Sequence, residues 1–128
     1  TYTYMRVYGP GEELHQHTDR PSCEISVTIN LGQSGDFDWP IWYADPKDLT
    51  VRMPVSVQPR SAMIYRGCEV PHWREEFITP KADDWQVQLF LHYVDRQGPY
   101  SHFAYDRKDK LFIEPIGTSE VYKTLQAN

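Results

Sequence analysis

Hydrophobic and polar positions alternate along most of this chain in short runs, and Pro, Gly or Asp closes each run. YTYMRVY is followed by GPGEE, LHQHTD by RPS, and CEISVTINL by GQSGD. FDWPIWYA, LTVRMPVSV, SAMIYRG, VPHWREEF and WQVQLFLHYVD continue the series. A period of two puts successive side chains on opposite faces of a strand, while Gly, Pro and Asp favour turns. The pattern predicts about eight strands, at the spacing of an all-β sandwich or barrel of the jelly-roll kind. Pro40, Pro54 and Pro71 stand inside or beside runs, so they predict strand starts, bulges or edge positions, where a missing N–H breaks no ladder. After Asp95, RQGPYSHFAYDRKDK reads as loop, and Thr118 or Ser119 is placed to cap a short C-terminal helix, SEVYKTLQ. No repeat or linker divides the chain, so residues 1–128 are expected to form one domain.

Composition narrows the function classes. The net charge is −5 and no basic run is present, which argues against a surface that neutralises phosphates. Nine Tyr and four Trp suit a pleated surface and also line small-molecule pockets. No apolar run reaches the roughly 20 residues of a membrane-spanning helix, and no signal-peptide pattern opens the chain. A cytoplasmic location is therefore expected. The chain opens on Thr1 rather than Met, which fits a trimmed product lacking an upstream segment. Cys23 and Cys68 are spaced unlike a zinc site and read as reduced thiols.

The candidate chemistry lies in LHQHTDRPSCE, where His15, His17 and Asp19 occupy alternate positions. On a strand all three would share one face, so an i, i+2 pair could reach one ion while a further ligand comes from elsewhere. Periodicity alone does not choose the pair, and exposed or hydrogen-bonded polar residues would give the same pattern. His72 supplies the further donor: it opens another strand run after the turn in SAMIYRGCEVPHWREEF, with enough chain between for several strands to bring it alongside. Two imidazoles and a carboxylate on one face of an octahedral ion make the facial triad of non-haem Fe(II) oxygenases.

VYGPGEELHQHTDRPSCEISVTINLG, SAMIYRGCEVPHWREEF and QVQLFLHYVD together resemble the 2-oxoglutarate/Fe(II)-dependent dioxygenases. The resemblance is to the prolyl-4-hydroxylase-like branch, including its small bacterial and phage-encoded members, and it runs from Tyr4 to Asp95. It implies a double-stranded β-helix, with His17, Asp19 and His72 as iron ligands and His15 as their neighbour. It further implies Fe(II), 2-oxoglutarate and dioxygen as reactants, ascorbate as reductant, and release of succinate and carbon dioxide. The reaction implied is hydroxylation of an unactivated C–H bond, most readily of a prolyl residue in a peptide or protein. A free amino acid is the other substrate size, and the setting is a bacterial or phage-infected cell.

The remote carboxylate of such a cosubstrate needs a cation in the barrel, because an unpaired buried charge costs several kcal/mol. Members of the family usually place it about ten residues after the distal histidine, where this chain offers Lys81 in a polar turn. Arg74 follows His72 by two positions, shares its face by alternation, and is the preferred anchor. Tyr8, Thr28, Asn30, Gln88 and His92 are expected to line the cosubstrate pocket. Arg20, Arg66, Trp39 and Trp42 are candidates for the substrate mouth, and Trp73 reads as packing. Two alternatives stay open: a cupin-type enzyme binding metal through His15 and His17, and a non-catalytic jelly-roll binding module.

Overall fold

The computed structural model describes residues 2–106, so the helix expected over 119–126 lies outside the described residues. Each of the eight runs contains a strand: β1 Tyr2–Tyr8, β2 Leu14–His17, β3 Ile25–Gln33, β4 Ile41–Asp45, β5 Asp48–Val55, β6 Ala62–Tyr65, β7 His72–Arg74 and β8 Gln86–Tyr93. They form two four-stranded sheets, ordered β1-β8-β3-β6 and β2-β7-β4-β5, with every described pair antiparallel. Sequence neighbours thus fall in opposite sheets except for the β4–β5 hairpin, and the result is the jelly roll expected from the pattern. Short 3-10 turns at Pro21–Cys23 and Ser101–Asp106 complete the described structure.

The prolines sit where their missing N–H does least harm. Pro40 and Pro71 immediately precede β4 and β7, and Pro54 lies in β5, an edge strand. Both cysteines are free thiols, and burial pushes that of Cys23 up to about 11. No helix among the described residues is long and apolar enough to cross a membrane.

Alternation in the β1-β8-β3-β6 sheet, the larger of the two by strand length, sorts its residues in an unusual sense. Ser26, Thr28 and Asn30 of β3 and Gln86, Gln88, Phe90 and His92 of β8 are buried between the sheets. Met5, Val7, Leu31 and Ile64, at the intervening positions of their strands, are exposed. The inward face of this sheet is therefore mostly polar, while the hydrophobic core centres on a compact aromatic cluster of Tyr8, Trp39, Phe77 and Phe90, with Phe37 packed against it. Phe77 is nearly inaccessible and meets Trp39 at 4.7 Å and Phe37 at 5.1 Å between ring centroids. Its backbone N–H donates to Glu12 and its carbonyl accepts from Gly11, which ties the β1–β2 connection to the segment after β7.

Truncating Phe77 leaves a cavity with few neighbours able to collapse into it. Phe77→Ala should cost about 3–5 kcal/mol of stability in urea unfolding, and a loss below about 1 kcal/mol would contradict this placement of the core.

Candidate metal centre and buried cation

The four-residue strand β2 does not keep the alternation that its sequence suggests. Leu14 pairs with Arg74 and His17 with His72, so three steps on β2 match two on β7 and the extra residue forms a bulge. The bulge puts Leu14 and His17 both opposite inward residues and turns His15 out, leaving its side chain 85% exposed. The shared face expected for His15 and His17 is thereby lost. His15 joins neither of the metal-competent groups found among the described residues, so the pair needed by the cupin alternative does not form.

His17, Asp19 and His72 do converge. Nε2 of His17 lies 3.6 Å and Nε2 of His72 3.7 Å from Asp19 Oδ1, and the two imidazoles are 4.4 Å apart between centroids. Ligands bound at about 2.1 Å to one ion stand roughly 3–3.5 Å apart, so each histidine is within a few tenths of an ångström of ligand spacing from Asp19 Oδ1. The backbone has already selected the tautomers. Nδ1–H of His17 donates to the His15 carbonyl at 2.8 Å, and Nδ1–H of His72 to the Val70 carbonyl at 2.9 Å. In the neutral imidazoles Nε2 is the basic nitrogen nearest Asp19: it hydrogen-bonds the carboxylate when it takes up a proton, and it is the atom that a metal-binding histidine offers.

Asp19 is held with equal care just beyond the end of β2. Its N–H donates to the Gly67 carbonyl at 2.8 Å, and its Oδ2 accepts from the Ser26 hydroxyl at 2.8 Å, leaving Oδ1 to face the histidines. Gly67 must be glycine for reasons of space: a Cβ there would lie 2.3 Å from Asp19 Oδ2, 2.3 Å from the Cys23 carbonyl and 2.8 Å from the Ser26 hydroxyl. Neither Ser26 nor Gly67 stands out in the sequence, because both roles come from strands and loops meeting across the barrel. Burial pushes the Asp19 carboxyl up, but hydrogen bonds from His17 and Ser26 and the charge of His72 outweigh it, and the group stays below the ordinary carboxylate range. The hydrogen bond to Asp19 raises His17, and burial lowers His72.

Farther into the barrel, Arg74 is 2% exposed. Its Nη1 donates to the Trp39 carbonyl and its guanidinium lies 4.5 Å from the Trp39 ring centroid, but Nη2 is buried without a partner. Among the described residues no carboxylate lies within ion-pair distance, and burial lowers Arg74 to about 10. Asn30 Oδ1, Gln86 Oε1, Gln88 Nε2 and His92 Nε2 are also buried without partners, whereas Thr28 donates to Gln88 Oε1 at 3.0 Å. Tyr8 is buried beside Trp39 and feels the Arg74 charge. Lys81 lies outside on an exposed turn.

The other candidate positions divide. Arg20 lines a cavity of about 620 Å³ together with Tyr2, Tyr4, His15, His17 and Asp19, and its guanidinium is bound by Asp106, Ser22 and the Tyr2 hydroxyl. Trp39, expected at a mouth, is instead part of the core, because its indole N–H finds the Glu75 carbonyl there. Trp42, also expected at the mouth, pairs with and stacks on Trp73 away from the His72 face. Arg66 lies apart from this cavity, paired with Glu69 on the surface beside a groove lined by Tyr43, Met53 and Ile64.

No family model and no curated protein matches the chain. Among solved structures it resembles a nickel complex of the non-heme monooxygenase ThoJ, at 12% identity and a TM-score of 0.47, over 70% of this chain and 42% of that one. It also resembles a prolyl-4-hydroxylase from Pseudomonas putida, at 16% identity and a TM-score of 0.51, over 73% of this chain and 51% of that one. The second likeness is one of fold. This chain spans about half the length of the proteins it matches.

The midpoints of the His17 and His72 imidazoles should shift in opposite directions in protein without added metal. NMR should give a midpoint for His17 above the ordinary value of about 6.5 and midpoints for His72 and His92 below it. Asp19→Asn should bring His17 down, since the Asp19 hydrogen bond is the main cause of its shift. A His17 midpoint unmoved by that substitution would contradict the geometry.

Proposed function

We propose that this domain is an Fe(II)- and 2-oxoglutarate-dependent oxygenase. The observation that carries the reading is a buried guanidinium with an unpartnered Nη2, two residues along β7 from a histidine whose Nε2 faces Asp19 and His17. Two strand residues span about 7 Å, which suits a five-carbon dicarboxylate lying between a metal and a cation. His17, Asp19 and His72 would hold the iron, and the nitrogen and oxygen donor set with open positions suits that ion. Arg74 would take the remote carboxylate in a forked pair, supplying the anion that its burial demands. Gln88 Nε2 and Tyr8 face the same interior and would complete that carboxylate's partners. Thr28, which donates to Gln88 Oε1, would orient that amide, and Asn30 would line the pocket.

When bound, iron and 2-oxoglutarate supply oxidative decarboxylation to succinate and carbon dioxide, coupled to hydroxylation of a C–H bond by dioxygen. This chain's own residues fix the ligand tautomers, hold Asp19 to one metal-facing oxygen and exclude water from the anchor end through Tyr8, Trp39, Phe77 and Phe90. The cavity lined by Tyr2, Tyr4 and Arg20 opens directly onto His17 and Asp19, which makes it the entry for substrate. Its aromatic walls suit a prolyl ring presented by a peptide or carried by a free amino acid. Ascorbate would keep the iron reduced between turnovers.

Succinate release with Fe(II), 2-oxoglutarate and ascorbate tests the reading. Wild type should turn over, and prolyl peptides should stimulate it more than matched peptides without proline. Losing a charge-assisted hydrogen bond of about 1.5–3 kcal/mol, Arg74→Ala should raise the half-saturating 2-oxoglutarate concentration roughly 10- to 100-fold. Lys81→Ala should leave it unchanged. A large effect at Lys81 with none at Arg74 would overturn the anchor, and absence of succinate from metal-loaded wild type would overturn the activity.

A further inference from the structure

The inward rows of the larger sheet bring one further residue to the metal site. Tyr2 pairs with His92, His92 with Ser26 and Ser26 with Tyr65, so four side chains make one row across β1, β8, β3 and β6. Ser26 uses this position to hold Asp19, and the Tyr65 ring packs edge-on against the His72 imidazole at 4.7 Å between centroids. The Tyr65 hydroxyl lies 3.4 Å from His72 Nε2. That nitrogen is the acceptor, because Nδ1 of the same ring carries the hydrogen given to Val70.

A metal ion on His72 Nε2 uses the same lone pair that receives this hydroxyl. Metal binding therefore displaces the Tyr65 hydrogen bond while leaving the ring packed where it is. The displaced hydroxyl of half-buried Tyr65 would then have two kinds of acceptor within reach, the Ser26 hydroxyl beside it in the row and the atoms that would sit next to His72 on the metal. We infer that Tyr65 donates a hydrogen bond to the oxygen atom that shares the metal with His72. Resting on the function proposed above, that atom belongs to the metal-chelating end of 2-oxoglutarate, and Tyr65 is a cosubstrate-contacting residue. The role is distinct from that of Arg74, which grips the opposite end of the same molecule.

The test needs no turnover. Fe(II) uptake by apoprotein and anaerobic titration of 2-oxoglutarate into Fe(II)-loaded protein are measured by calorimetry for wild type and Tyr65→Phe, which keeps the ring contact with His72. The expected result is Fe(II) affinity within about twofold of wild type and 2-oxoglutarate affinity weakened roughly tenfold or more, as for a lost hydrogen bond to a charged group. Unchanged 2-oxoglutarate affinity in the variant would overturn the inference, and so would loss of Fe(II), which would make Tyr65 a ligand or a structural support. Wild type that takes up no Fe(II), or takes it up and binds no 2-oxoglutarate, would overturn the underlying reading and this role with it. Thermal melts check the fold, and if Tyr65→Phe does not fold, Tyr65→Leu is read by the same two titrations and the same criteria.

Discussion

A guanidinium held out of water between two small sheets is the constraint around which this barrel is organised. Arg74 retains one carbonyl and one aromatic face as partners, and Nη2 has none. Removing a charge from water costs several kcal/mol after relaxation, and a small domain has only about 5–15 kcal/mol of net stability. The surroundings reflect that tension. Tyr8, Trp39, Phe77 and Phe90 exclude water at this end, while the sheet beyond them offers Asn30, Gln86 and Gln88, each with a polar atom awaiting a partner. Such an interior is poor at stabilising an empty fold and well suited to a polar ligand.

Toward the His17–Asp19–His72 end the backbone does most of the positioning. Main-chain carbonyls of His15 and Val70 set both imidazole tautomers, and the Gly67 carbonyl places the Asp19 main chain. Main-chain contacts thus set both ring orientations, and the Ser26 hydroxyl adds a side-chain contact that fixes Asp19. The β2 bulge is part of this arrangement, because without the extra residue His17 and Leu14 could not both face inward.

The fold was largely legible because eight runs of alternation, each bounded by turn residues, leave few other ways to pair. Pro54 on an edge strand and Pro40 and Pro71 before strands follow from the chemistry of proline alone. The candidate site was legible as residue types: His17, Asp19 and His72 converge, and Arg74 is buried two positions beyond His72 on the same strand. Alternation misplaced His15, since a bulge is a one-residue event that composition does not announce. Trp39 and Trp42 were misassigned because an aromatic residue fits a mouth and a core equally well in sequence. Ser26 carried no local signal, and Gly67, although inside the quoted SAMIYRGCEVPHWREEF stretch, was not singled out, because their contacts with Asp19 arise from register across strands far apart in the chain. The aliphatic outer positions of the larger sheet show the same limit from another side: which face of an alternating strand turns inward is decided by what the interior has to hold.

The central claim is that three side chains, and not a fourth beside them, make one metal site. Equilibrium binding of Fe(II) under anaerobic conditions tests it most directly, with metal counted per chain. One Fe(II) should bind to wild type and to His15→Ala, and affinity should fall at least roughly tenfold in His17→Ala, Asp19→Ala and His72→Ala, in line with the loss of a ligand. Loss of the metal in His15→Ala with retention in Asp19→Ala would contradict the account.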